Sequence, residues 1–350
     1  FMKYPGGGPP LLTALALLCT LTLAAAPAAD TVTIANVEDW VDFSRQCTRD
    51  TWSQGRTVEL TADLDLTGSD CSPVPIFRGT FHGNGHTISG LSFNGKGSKV
   101  GLFRTLTQSA VVTDLTVEGT LLPQGSASQA GLLAGENYGT IRHCTAQGTV
   151  SAQEDVGGLV GLNGEGGVIT ICTSAATLTG VTNVGGITGQ NLGTVESCTN
   201  TGAINTQADQ EAPTSVGGIA GLSRGTIRSC TNTGAVGYQH VGYNMGGIAG
   251  LQSGEISSCT NTAAIRGRKD VGGIAGQFEP STNLTYGESP AQKVADSLSD
   301  LFSQLEHFTE QLNNMVDRGV EDAQAIHDSV SAIQDRTHAP GTEGHTDFRA

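Results

Sequence analysis

Glycine and small aliphatic residues recur along the middle of the chain in a six-residue pattern. The pattern V-G-G-[IL]-x-G, with Met once in place of Val, begins at Val156, Val184, Val216, Met245 and Val271. A related block, AGLLAG, begins at Ala130. Repetition of this kind is typical of solenoids, in which each repeat packs only against its neighbours.

A cysteine follows five of these blocks and aligns the copies. The cysteines are Cys144, Cys172, Cys198, Cys230 and Cys259. Three positions before them lie Ile141, Ile169, Val195, Ile227 and Ile256. Six positions after them lie Val150, Leu178, Ile204, Val236 and Ile265. An aliphatic residue at the same place in every copy predicts interior columns that pack on their own copies.

The spacing between these columns predicts bends in the chain. Successive side chains of a strand point to opposite faces, so inward positions share one parity. The cysteine and the aliphatic residue six positions later share a parity. The aliphatic residue three positions before the cysteine has the opposite parity, so both can point inward only if the chain bends between them. A second bend is expected at the glycine pair after Val156. Three short strands per 26 to 32 residues predict an all-β, right-handed parallel β-helix (β-solenoid) over residues 57–278.

Both flanks of the repeat region carry helical signals. At the N-terminal side, residues 30–56 contain a predicted capping helix, with Asn36 as N-cap and with Trp40 and Phe43 on one side. After a linker at 279–292, apolar residues at three- and four-residue spacing predict a coiled-coil-like helical segment at 293–336. This segment either caps the last coil or mediates self-association. Residues 337–350 are expected to be disordered.

The N-terminus has the features of a secretory signal peptide over residues 1–29. An apolar run from Leu11 to Ala26 ends in small residues that suit cleavage, and it is too short to span a bilayer comfortably. We therefore expect a secreted or cell-surface protein with no membrane span after cleavage.

The motifs VGGIAG, GTI and CTNTGAI resemble the GLUG-motif repeats of bacterial cell-surface proteins. The stretch FRGTFHGNGHTISGLSF, from Phe77 to Phe93, looks like the opening coils of the same architecture. The resemblance covers about residues 57–276. It implies the β-helix and a surface location, and it transfers no chemistry.

The net charge of the chain limits the classes of molecule that it is expected to bind. With 33 acidic and 18 basic residues the formal net charge is −15, which repels phosphate backbones, and the sequence shows no evident basic cluster. Nucleic-acid binding is therefore not expected. No cofactor motif is present.

The cysteines suggest two different roles. Cys47 and Cys71 flank the first predicted strand and are disulfide candidates. The five repeat cysteines would stack about 4.8 Å apart with parallel Cα–Cβ vectors, which favours a buried, reduced column. No metal site is expected, because there is no C-x-x-C and no histidine column. A ladder of side-chain amides is predicted at Asn200, Asn232 and Asn261.

The function favoured by the sequence is a non-enzymatic extracellular scaffold that binds a glycan or a cell-surface protein. The connection between coils grows to twelve positions from Ile204 to Val216 and to nine from Val236 to Met245. The second insertion holds Tyr238, His240 and Tyr243, and exposed aromatic rings stack on sugars.

Two alternatives remain open. One is a polysaccharide-degrading enzyme, because pectate-lyase-like proteins share the architecture. The column two positions before the cysteines offers no adjacent pair of acids, since it contains Arg142, Thr170, Glu196, Arg228 and Ser257. The other is binding to ice or crystal surfaces through T-N-T segments on three coils, at Thr199, Thr231 and Thr260.

Overall fold

The computed structural model describes residues 31–69, 72–208 and 211–280, and isolated helical positions between 301 and 331. The chain divides into two compact units, Phe1–Ser281 and Thr282–Ala350. The described strands of the first unit pair in parallel with their equivalents in neighbouring coils. This part of the chain is a parallel β-solenoid, as the repeat spacing predicts.

Four parallel sheets run along the described part of the solenoid. The first sheet precedes the cysteine column and contains Thr31–Ile34, Thr57–Leu60, Thr80–His82, Val111–Thr113, Thr140–Arg142, Val168–Thr170, Thr194–Glu196, Thr226–Arg228 and Glu255–Ser257. The second sheet follows it and contains Leu64–Asp65, Thr87–Phe93, Thr116–Leu121, Thr145–Ser151, Thr173–Ser174, Thr177–Thr179, Thr199–Asn200, Thr231–Asn232 and Thr260–Asn261.

The third and fourth sheets lie on the two sides of the glycine pair. The third contains Ser128–Ala130, Glu154–Gly157, Thr182–Gly185, Thr214–Gly217, Tyr243–Gly246 and Lys269–Gly272. The fourth contains Val74–Phe77, Phe103–Leu106, Ala134–Asn137, Val160–Asn163, Thr188–Asn191, Ala220–Ser223, Ala249–Gln252 and Ala275–Phe278. The predicted number of strands per coil is therefore wrong. A complete coil has at least four strands rather than three, because the residues before and after the glycine pair join different sheets.

The interior columns are those that the alignment of repeats predicts. Ile141 pairs with Ile169, which pairs with Val195, and these side chains are fully buried. On another side of the coil, Val156 pairs with Val184. Like packs on like along the axis, so each coil supplies one layer of a continuous narrow core.

Two corners of each coil are formed by residues in the left-handed conformation. One lies just before the cysteine column, as at Ser197 and Ser229, each with φ 53°. The other lies just before the valine column, as at Asn183 (φ 53°) and Ser215 (φ 57°). Short polar side chains tolerate this conformation better than branched ones. Ile171, with φ 54°, is a β-branched residue in the same role.

The glycines of the repeated block are required because other coils approach them closely. A Cβ on Gly218 would collide with the Gly247 carbonyl and the Asn232 side chain. A Cβ on Gly221 would collide with the backbone of Asn183 in the preceding coil. The block V-G-G-I-x-G is thus a packing requirement of the stack rather than a loop signal.

A helix covers the N-terminal end of the described core. It spans Val37–Gln46, and Asn36 caps it by accepting a hydrogen bond from the Asp39 N–H at 2.9 Å. Trp40 and Phe43 are buried, and the Trp40 ring lies 6.1 Å from the ring of Phe81. The predicted capping helix is confirmed, and it shields the interior beneath the first coils.

Several predicted features lie outside the described residues. They are the signal peptide at 1–29, most of the linker at 279–292, the tail at 337–350, and Cys71. Within 293–336, the described positions are helical, including Leu301, Leu305, Glu321 and Ser331. In the part of the chain that the structure describes, no helix has the length and apolar character needed to cross a bilayer.

Candidate ligand-binding edge of the solenoid

The two insertions in the repeat lie side by side at the corner between the second and third sheets. The Tyr243 N–H donates to the Pro213 carbonyl at 2.8 Å, and the Gly237 N–H donates to the Ile204 carbonyl at 2.8 Å. The insertions therefore form one continuous edge, which we call the insertion edge: residues 151–153, 179–181, 205–208, 211–214 and 237–243.

A buried asparagine anchors the first insertion. The Gly180 N–H donates to Asn205 Oδ1 at 2.9 Å, and Asn205 Nδ2 donates to the Gly180 carbonyl at 2.9 Å. Asn205 is 1% exposed and has φ 51°. Because both ends of the amide are bonded to one backbone unit, the chain leaves the coil in a fixed direction at this point.

The structure places the three predicted ligand residues in and beside one tight turn. The Val241 N–H closes the turn onto the Tyr238 carbonyl at 3.2 Å. Tyr238 is 39% exposed, and His240 is exposed with φ 61°. Tyr243 is half-buried in its strand, and the Arg268 guanidinium lies 5.8 Å from the centre of its ring. The two tyrosines thus differ, since Tyr238 projects freely while Arg268 covers Tyr243.

A cavity that the sequence analysis missed opens on the same edge, one coil before the tyrosines. It has a volume of about 310 Å³. Hydroxyl, amide and carboxylate side chains line it, including Ser151, Gln153, Thr179, Gln207 and Glu211. The available signal was the polar pair Gln207 and Glu211 inside the longest insertion. These groups can donate and accept hydrogen bonds around a polar ligand.

A wider and shallower groove of about 550 Å³ crosses the second sheet near the N-terminal end. Glu118, Thr120 and Gln147 line it above a floor that includes Gly119 and Gly148. Glycine is required at Gly148 because a Cβ there would collide with the Gly119 carbonyl of the preceding coil. Close packing of adjacent coils therefore accounts for the glycines of the floor without a ligand.

The repeat cysteines form a continuous column of free thiols. They are buried, apart from the half-exposed Cys259 at the C-terminal end. The Cys144 N–H donates to the sulfur of Cys172 at 3.4 Å, and the Cys198 N–H donates to the sulfur of Cys230 at 3.5 Å. Contact with the Cys144 thiol, together with burial, raises the pKa of Cys172 well above its usual range. These thiols are therefore uncharged and pack as small apolar groups.

The thiol of Cys47 is also buried. Burial raises its pKa to about 12, against the lowering effect of a hydrogen bond with Ser53. Its predicted partner Cys71 is outside the described residues, so the disulfide stays a prediction. Among the described residues, no group of three or more His, Cys, Asp or Glu side chains is arranged to hold a metal ion.

Two ladders of side-chain amides run through the interior. In the predicted one, Asn200 donates to Asn232 at 2.8 Å, and Asn232 donates to Asn261 at 2.9 Å. In the second, Asn137 donates to Asn163 at 2.8 Å, and Asn163 donates to Asn191 at 2.9 Å. Sequence reasoning missed the second ladder, although an asparagine, serine or glutamine precedes the first-sheet strand in each of these coils.

Glu196, in the charged column before the cysteines, and the buried Asp155 both contact a polar side chain of a neighbouring coil. Glu196 and Arg228 form a two-pronged ion pair with N–O distances of 2.9 Å. Asp155 is 6% exposed and accepts a hydrogen bond from Asn183 at 2.9 Å. Burial raises the pKa of Asp155 to about 6.

The threonine column is longer than the T-N-T segments indicate. Seven consecutive coils align threonine in the second sheet, at Thr87, Thr116, Thr145, Thr173, Thr199, Thr231 and Thr260. The outward-facing column two positions after these threonines contains several residue types. It includes Glu118 and Gln147, which pair with each other. A regular array two threonines wide is confined to the last three of these coils.

The fold and the repeats define a solenoid protein built from short, nearly identical coils. Residues 126–151 match the family model described as the GLUG motif. That match begins in the coil that starts the third sheet.

Two individual proteins are similar to part of this chain. The chain is 39% identical over 99 residues to Halomucin of Haloquadratum walsbyi. The match covers 28% of this chain and 1% of the length of Halomucin. Among solved structures, a candidate immunoglobulin A1 protease from Bacteroides ovatus, determined at 1.30 Å, aligns with a TM-score of 0.47 and 18% identity. That alignment covers 69% of this chain and 84% of the other.

Proposed function

We propose that this protein is a non-enzymatic extracellular or cell-surface scaffold that binds glycan chains at its insertion edge. The observation that carries the proposal is the cavity of about 310 Å³ between Gln153 and Gln207, with the exposed Tyr238 on the same edge. The signal peptide predicted at residues 1–29 supports an extracellular location.

The chemistry of this edge suits a neutral sugar. Amide, hydroxyl and carboxylate groups can share hydrogen bonds with the hydroxyl groups of a sugar, and an aromatic ring can pack on its apolar face. The Asn205 clamp on Gly180 fixes the start of the insertion, so less conformational freedom is lost on binding.

The charged residues of the described coils favour binding over turnover. Retaining and inverting glycosidases need two carboxyl groups about 5 to 9.5 Å apart around the scissile bond. Glu196 is engaged by Arg228, and Asp155 is buried against Asn183. Neither is among the residues that line the cavity at Gln153, and Glu211 is the one carboxylate in the part of that lining that the structure describes.

The test is a glycan-array and polysaccharide screen of the full secreted chain, with release of reducing ends measured in the same wells. We expect binding without product release. The double variant Gln153→Ala/Gln207→Ala and the single variant Tyr238→Ala should each weaken binding by about tenfold or more, which equals about 1.4 kcal/mol.

The matched control is Gln124→Ala, an exposed amide on another coil. It should leave both binding and thermal stability unchanged. Equal binding by all variants would show that the insertion edge is not the site. Release of oligosaccharides would show that the protein is an enzyme, and absence of binding to every glycan would remove the proposal.

A second candidate function is binding to an ordered crystal surface, because threonine is aligned in seven consecutive coils. Replacement of Thr199, Thr231 and Thr260 by lysine should then abolish inhibition of ice recrystallisation. Wild-type protein without any such inhibition would exclude this candidate.

A further inference from the structure

A small basic cavity opens where the third sheet begins. Its volume is about 90 Å³, and its lining includes Pro73, Phe93, Lys96, Ser98, Lys99 and Arg104. Lys96, Lys99 and Arg104 lie within nine residues of the chain, so this short segment brings three basic side chains to one cavity. They stand out in a chain whose formal net charge is −15.

Arg104 occupies a column that is glycine in the later coils. Phe103 pairs with Ala134, so Arg104 aligns with Gly135. Further along the fourth sheet, the same column contains Gly161, Gly189, Gly221, Gly250 and Gly276. A Cβ on Gly135 would collide with the backbone of Lys99 in the preceding coil.

The Arg104 side chain is exposed, whereas the aligned glycines of later coils lie against the backbone of the preceding coil. Arg104 Nη2 donates to the Ser98 carbonyl at 3.3 Å, which directs its guanidinium along the 96–100 segment.

Lys99 shares the left-handed conformation of its column. It has φ 60°, and its aligned neighbours include Gln129 (φ 61°) and Asp155 (φ 51°). Its ammonium lies 3.0 Å from Glu136 Oε2. The side chain of Glu136 is 7% exposed and accepts a hydrogen bond from Thr105. A buried carboxylate therefore holds the Lys99 ammonium in place beside the cavity.

The remaining charge points to an anionic ligand. No ion pair between the described residues includes Lys96 or Arg104, and Glu136 balances only Lys99. Two positive charges are left at the cavity. A guanidinium binds planar or tetrahedral oxyanions through two parallel N–H donors, and an ammonium adds a point charge.

We propose that this cavity binds a compact oxyanion, a sulfate or carboxylate group, either free or carried by an acidic glycan. A volume of about 90 Å³ equals the volume of about three water molecules, which suits such a group better than a sugar ring. The site is separate from the insertion edge, so either can exist without the other.

The test compares dextran sulfate, neutral dextran and sodium sulfate as ligands of the full chain by isothermal titration calorimetry. We expect dextran sulfate or sodium sulfate to bind and neutral dextran not to bind at this site. The double variant Lys96→Gln/Arg104→Gln should weaken binding by about tenfold or more. Binding of sodium sulfate alone would identify a free anion as the ligand, and binding of dextran sulfate alone would identify a polymer-borne group.

The matched control is Arg224→Gln/Arg266→Gln, which removes the same charge from exposed positions on other coils. It should change the affinity by less than about twofold. Equal weakening by both double variants would show general attraction to a polyanion and overturn the proposal. Wild-type protein that binds neither sulfated ligand would overturn it as well. Because the neutral-glycan screen uses variants at Gln153, Gln207 and Tyr238, failure of one proposal is distinguishable from failure of the other.

Discussion

The side-chain amide of Asn200 donates to Oδ1 of Asn232 in the next coil at 2.8 Å, and both side chains are fully buried. Each asparagine also bonds its own backbone two residues on, as Asn232 does with Gly234 in both directions at 3.0 and 3.2 Å. One side chain therefore joins two coils and also pairs the backbone N–H and C=O groups at one corner of its own coil.

Replacement of Asn232 by alanine should lower the free energy of unfolding by about 2–6 kcal/mol. The change leaves two buried backbone groups of Gly234 unpaired and interrupts the ladder, and each such group costs about 1–3 kcal/mol. Urea denaturation followed by circular dichroism would measure the loss. Asn94→Ala, at an exposed position outside the ladders, should have no effect, and an equal loss in both variants would contradict this role of the ladder.

Gly234→Ala should be among the more damaging single-methyl changes in the repeat. A Cβ there would collide with the Gly202 carbonyl, whereas a Cβ on Gly273 has no atom within 4 Å. We expect Gly234→Ala to destabilise by about 1–3 kcal/mol through overpacking. Gly273→Ala should be neutral or slightly stabilising. Thermal melts of the two variants measure the difference, and similar melting temperatures would show that the coils can separate to admit a methyl group.

Ile171→Asn should stabilise the protein, although it replaces an apolar residue by a polar one. Ile171 is 44% exposed and has φ 54°, a conformation that costs a branched side chain about 1–2 kcal/mol. Asparagine tolerates it better. The neighbouring change Thr170→Asn, in an extended strand, should give no gain. A lower midpoint in urea for Ile171→Asn would show that the corner is not strained.

Asp155 should make the stability of the protein depend on pH. Burial raises its pKa from 3.8 to about 6 in the folded chain. Between these values the folded state keeps a proton that the unfolded state has lost, so the free energy of unfolding falls as pH rises from about 4 to about 6. Above pH 6 this contribution is constant.

Asp155→Asn removes this titration and keeps an acceptor for Asn183. We expect the variant to be more stable than wild type at pH 7, by at most about 3 kcal/mol, and equal to it near pH 4. Denaturation curves across this pH range provide the measurement. Asp270→Asn, in the same column on an exposed coil, is the control, and an identical pH profile in wild type and Asp155→Asn would refute the assignment.

The sequence by itself determined the columns of this solenoid. Ile141, Ile169 and Val195 recur at one offset from a cysteine, and side chains that recur in this way must stack once the coils do, because each coil buries its apolar face only against its neighbours. The Asn200–Asn232 ladder and the helix that begins at Val37 were predictable for the same reason, since each depends on local spacing.

The tertiary structure alone decided features that depend on what lies in the next coil. The ladder through Asn163 was hidden because two extra residues between Asn163 and Ile169 shift its offset. The cavity between Gln153 and Gln207 requires an insertion to fold back over the preceding coil. The basic cavity requires an exposed arginine, Arg104, at a position where later coils have a glycine against the backbone of the preceding coil. A sequence pattern records which residues repeat, but the free space around a side chain is set by atoms that are distant in the chain.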